Sequence, residues 1–70
     1  MNTIETEHVV IRSIAVSEMS NNVYLLTGKE TGSQVLIDAA DDAAAISELV
    51  ASGAQDTEAE PTLRAIITTH

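Results

Sequence analysis

The chain has 70 residues, enough for one small domain or a piece of a larger one. It contains no cysteine, which excludes disulfides and thiolate metal sites, and only one aromatic residue, Tyr24. Eleven acidic residues against three basic ones (Arg12, Lys29, Arg64) give a formal charge of −8, which argues against nucleic acid and against anionic membranes as partners.

The first eight residues, MNTIETEH, carry two acids and neither lysine nor arginine. They lack the positive n-region and apolar h-region of a secretory signal, so a cytoplasmic location is expected. No apolar run approaches the ~20 residues of a membrane helix. Segment 8–16, HVVIRSIAV, alternates as a strand. It sets Val10, Arg12, Ile14 and Val16 on one side and Val9, Ile11, Ser13 and Ala15 on the other. Its β-branched residues suit a pleated surface. Ser17 to Asn22 is polar and turn-forming, and Met19 within it is a loop contact.

Val23 to Leu26 is a short continuous apolar run, predicted to be a strand buried on both faces. Gly28 to Ser33 forms a hairpin loop whose two glycines can supply positive φ. Val35-Leu36-Ile37 is a third strand, apolar throughout, and it stops at Asp38. A helix over 42–52 follows, with Asp41 and Asp42 as N-cap and favourable N-terminal charge. Ala43, Ile46, Leu49 and Val50 fall on its buried face, and Asp42, Ser47 and Glu48 point away. Gly53 stands where a left-handed residue ends a helix. Residues 53–62 read as an acidic, solvent-exposed linker in which Glu58 and Glu60 are solvated. Leu63 to Thr69 is a fourth strand, and His70 follows it.

This succession predicts an α+β fold: a three-strand meander, one helix and a fourth strand. Strand, helix and strand make a βαβ unit, so the third and fourth strands should be parallel with a right-handed crossover. Asp38 and His70 then terminate neighbouring parallel strands at the carboxyl edge of the sheet, where open α/β sheets bind ligands. Taken singly, each residue also has an ordinary role. Asp38 serves equally as a turn residue or part of the helix cap, His8 as an exposed strand residue, and a lone His70 as surface.

The runs Asn22-Val23-Tyr24-Leu25-Leu26, Val35-Leu36-Ile37-Asp38-Ala39-Ala40 and Ala65-Ile66-Ile67-Thr68-Thr69-His70 resemble the opening of a metallo-β-lactamase-superfamily hydrolase. They are especially similar to its glyoxalase-II-like branch, and the resemblance spans residues 8–70. It implies that residues 1–70 are the N-terminal portion of a single αββα sandwich domain. It implies that His70 is the first histidine of an H-x-H-x-D-H motif and a metal ligand, with Asp38 supporting the site from behind the ligands. Asn22 and Tyr24 match strand positions with structural roles. The implied parent protein is a metal-dependent hydrolase of small ester or thioester substrates, using one or two divalent metals: zinc, with iron or manganese as alternatives.

A catalytic zinc takes three protein ligands and one open position. The 70 residues offer one such ligand, so they hold no metal stably and supply no catalytic residue by themselves. Two other functions compete: a stand-alone acidic α+β binding module without catalysis, and the start of a doubly wound nucleotide-binding domain. A Gly-rich phosphate loop would favour the latter, and none accompanies these strands. One helix can cover one face of the sheet only, so the chain by itself is expected to be partly disordered or to self-associate.

Overall fold

A computed structural model describes residues 2–16, 21–38 and 43–68. The fold is α+β. Five strands form one sheet: β1 (Asn2–Glu5), β2 (Val9–Val16), β3 (Asn21–Gly28), β4 (Ser33–Ile37) and β5 (Thr62–Ile67), in the order β1-β2-β3-β4-β5. The first four are antiparallel neighbours, and β5 adds parallel to β4. Helix α1 (Ala43–Ser52) crosses between them and runs into a 3₁₀ turn at Gly53–Asp56.

The expected meander, helix and parallel strand are all present. The opening strand β1 was not foreseen, because NTIE is short and mixed in polarity. It exists through pairing with β2, in the register Asn2↔Ser13 to Glu5↔Val10. The turn between them is closed by Thr6, whose backbone N–H and hydroxyl both donate to the Val9 carbonyl.

The register fixes which side chains share a face. On one side lie Val10, Thr27 and Gln34, then Arg12, Leu25, Leu36 and Ile66, then Ile14 and Val23, and the β4–β5 ladder shifts register between Gln34 and Val35. Helix α1 covers this side through Leu49, and Val23, Leu25, Leu36 and Leu49 make the core, with Ile14, Ala45, Ile46 and Val50 packed around it. Leu49 is buried and Ser47 and Glu48 are exposed, as the helical period predicts; Asp41 and Asp42 lie outside the described residues. The other side carries two rows. Ile4, Ile11, Leu26, Val35 and Ala65 form one, and Asn2, Ser13, Tyr24, Ile37 and Ile67 the other. Accordingly β3 and β4 are buried on one face, not on both. Along β3 the buried residues Val23, Leu25 and Thr27 alternate with half-buried Tyr24 and Leu26.

Two polar residues join the core. Gln34 and Thr27 are both buried, and the Gln34 amide donates to the Thr27 hydroxyl at 3.2 Å. A buried polar group without a partner costs about 1–3 kcal/mol. Among the described residues, no buried side-chain nitrogen or oxygen lacks a partner.

Gly53 does not end α1 in a left-handed conformation. It is buried at the start of the 3₁₀ turn, and among the described glycines only Gly32 has positive φ. A Cβ at Gly53 would collide with the Gln34 amide and would stand 2.8 Å from Leu25 Cδ2 and 2.9 Å from Thr27 Oγ1. Glycine is required here for the close approach of backbone to sheet. The turn thereby sits on top of the buried Gln34–Thr27 pair.

The acidic linker is likewise not a free excursion. Arg12 Nε donates to Asp56 Oδ2 at 2.6 Å and its Nη2 donates to Oδ1 at 2.7 Å, with 15% and 7% of the two side chains exposed. The Asp56 hydrogen bond holds the Arg12 guanidinium above its ordinary pKa, against the opposing effect of desolvation. The guanidinium is therefore charged throughout the physiological range. Further along, the Thr57 hydroxyl donates to the Lys29 carbonyl at 2.7 Å, and the Thr62 N–H donates to the Gly32 carbonyl at 2.8 Å. Gly32, at φ 75°, leaves room for the Glu60 carbonyl where a Cβ would otherwise sit. Glu58 and Glu60 are exposed, as expected.

Removing one partner of a forked, mostly buried ion pair strands the other. We expect Asp56→Ala to lower stability by about 1–3 kcal/mol, read as a lower urea midpoint at unchanged slope.

Candidate functional site

The candidate edge is the carboxyl end of β4 and β5, and strand direction defines it. Because β3 is antiparallel to both β2 and β4, the end of β2 and the start of β3 lie at the same end of the sheet as the end of β4. Parallel β5 ends there too. Three stretches of chain therefore leave one edge: the connection from Val16 to Asn21, the connection from Asp38 to Ala43, and the residues after Ile67. By sequence they carry Glu18, Met19, Asp38, Asp41, Asp42 and His70.

Of these, Asp38 is described, and its geometry is specific. The pairing Ile37↔Ile67 closes the parallel ladder, and one residue later the Asp38 N–H donates to the Ile67 carbonyl at 2.7 Å. At that point the backbone turns sharply, with Asp38 at φ 59°. This is the left-handed region, where Asp and Asn are the least unfavourable residues after glycine. Asp38 is half-buried. The aspartate thus ends the strand, is tied by its backbone to the neighbouring strand end, and is held in a conformation that most side chains resist. Backbones held in such regions cluster at ligand sites.

His70 and Met19 lie outside the described residues, so the structure places neither beside Asp38. The shared edge expected for Asp38 and the end of the fourth strand is present through the Ile37↔Ile67 pairing. The strand itself is shorter than the expected Leu63–Thr69 and ends at Ile67. His8 stands at the other end of the sheet, in the β1–β2 turn rather than in a strand. Its ring lies 3.9 Å from Glu7 and 4.0 Å from Glu30, and its side chain is 70% exposed.

A metal-holding arrangement can be tested on the residues present. Among the described residues no group of three His, Cys, Asp or Glu could hold a metal ion, and no cavity opens. Asp38 alone is one oxygen donor at the edge. That fits a supporting carboxylate and does not form a donor set for catalytic zinc.

Comparison with known proteins identifies no relative: no family model matches the chain, and no curated protein or solved structure resembles it significantly. No helix among the described residues is long and apolar enough to cross a membrane.

The left-handed backbone at Asp38 gives a test of its role that is independent of any ligand. Glycine relieves the conformation, whereas a β-branched residue opposes it by about 1–3 kcal/mol. We expect Asp38→Val to lower the thermal midpoint more than Asp38→Gly does. Equal losses in both variants would mean that the carboxylate, not the backbone, holds this turn.

Proposed function

We propose that the chain is the N-terminal portion of a metal-dependent hydrolase of small ester or thioester substrates, built as an αββα sandwich of the metallo-β-lactamase kind. The observation that supports it is the parallel β4–β5 pairing, which brings Asp38 and the segment leading to His70 to one carboxyl edge. In this reading His70 is a metal ligand, and Asp38 steadies the ligand segment. The remaining ligands lie in sequence that follows His70. A bound divalent ion would supply a hydroxide nucleophile by lowering the pKa of its water toward ~7. The residues of this chain contribute position: a strand end, a tight left-handed turn and a carboxylate beside it.

Two measurements bear on the reading. Given zinc or iron, the 70-residue chain should show no turnover of thioester, lactam or phosphodiester substrates, because it offers at most one ligand. Turnover abolished both by a chelator and by His70→Ala would overturn that. A longer product of the same gene should contain one or two divalent metals per chain by mass spectrometry, and His70→Ala should remove at least one. Unchanged metal content in the variant would remove His70 from the ligand set. A coding sequence that stops at His70 would instead leave a stand-alone acidic α+β binding module.

A further inference from the structure

Among the described residues the sheet has one covered side and one bare side, and the bare side differs from the rest of the molecule. Its central row, Ile4↔Ile11↔Leu26↔Val35↔Ala65, runs apolar across all five strands. Ile4 is 61% exposed, and Ile11, Leu26 and Val35 are only half-buried although they sit in the interior of a sheet. Helix α1 and the 3₁₀ turn pack on the opposite side, against β2 and β3.

Charge is segregated to match. Among the described residues no Asp, Glu, Lys or Arg holds a register position on the bare side, and the two charged residues that do have register partners, Glu5 and Arg12, lie on the helix side. A chain of charge −8 thus presents one face free of paired-strand charge. An occupant of that face must itself be flat, apolar and uncharged.

We propose that the occupant is a second copy of this chain, the two bare faces packing against each other as a two-sheet sandwich about a two-fold axis. The face satisfies its own requirement: apolar row meets apolar row, and the acidic residues of the helix side and turns are left on the outside. Strands ~4.8 Å apart and ~3.3 Å per residue give a projected footprint of roughly 400 Å² per copy for five strands and about five residues along each. The corrugated side-chain surface is larger than its projection. The pair together covers roughly 800 Å² in projection, below the total of about 1,200–2,000 Å² for standard specific interfaces, so the dimer is weak and concentration-dependent. Stability points the same way. Among the described residues, five apolar side chains are buried: Val10, Val23, Leu25, Leu36 and Leu49. There is no disulfide to supplement them. Chains of this size commonly gain the missing burial through a partner copy.

The inference stands apart from the hydrolase reading, because it concerns the 70-residue chain and needs no metal. Sedimentation of that chain from about 10 μM to about 1 mM should show the mass rising from 7.4 kDa toward twice that value. Added salt should strengthen the association by screening the repulsion between two acidic copies. Leu26→Lys, at the centre of the face, should lower the association constant by at least roughly tenfold. Lysine reduces the net negative charge, so such a loss cannot come from greater repulsion between copies. Ile4→Lys should do the same, and because Ile4 is already 61% exposed this variant keeps its core if Leu26→Lys fails to fold by circular dichroism. Ala51→Lys, at an exposed position of helix α1 on the covered side, should leave association unchanged. A monomer across the whole concentration range overturns the proposal. So does association that survives both Leu26→Lys and Ile4→Lys, since that result places the contact elsewhere than on this face.

Discussion

A ten-residue helix has to shield a five-stranded sheet, and it is too small to do so. At ~1.5 Å per residue α1 is about 15 Å long, whereas five strands ~4.8 Å apart are wider than a single helix. The helix settles over β2 and β3 and reaches Leu36 on β4. The residues beneath it are buried, and the far edge of the sheet is not. Strand β5, although parallel to β4 and hydrogen-bonded to it, is exposed at every residue, with Ile66 at 59% and Ile67 at 47%.

The limited cover explains the unusual chemistry of the small core. Where α1 ends, the chain drops onto the sheet at Gly53 and meets Gln34 and Thr27 rather than apolar side chains. The two polar groups satisfy each other beneath it. Next to them the Arg12–Asp56 fork pins the 3₁₀ turn to the middle of β2. The stretch from α1 to β5 is therefore a second covering element made from acidic sequence, and its Thr57 and Thr62 bonds continue the attachment to the β3–β4 hairpin. These polar fastenings stand in for the apolar surface that one short helix cannot provide.

The same connectivity brings the ends of β2, β4 and β5 to one edge. Antiparallel β2–β3–β4 followed by parallel β5 sends three chain segments out of the same end of the sheet, and Asp38 marks it with a left-handed turn bound to Ile67. An all-antiparallel fifth strand would have placed its end, and whatever follows it, on the opposite edge from Asp38.

Much of this was legible in the order of residue types. The alternation of Val9–Val16, the turn glycines, the 3.6-residue spacing of Ile46, Leu49 and Val50, and the helix between two strands determined the meander, the helix and the parallel pairing. These are local periodicities, and they survive without knowledge of neighbours. Tertiary structure alone decided three other matters. It showed that β3 and β4 bury one face, because an apolar run says that a strand tolerates burial but not how many layers exist to bury it. It turned an acidic linker into a packed element, because the partner of Asp56 is Arg12, 44 residues away, and no local pattern signals that pairing. It made Gly53 a contact point instead of a helix stop, because a missing Cβ serves close approach as readily as it serves positive φ, and only the neighbouring strand decides which is used.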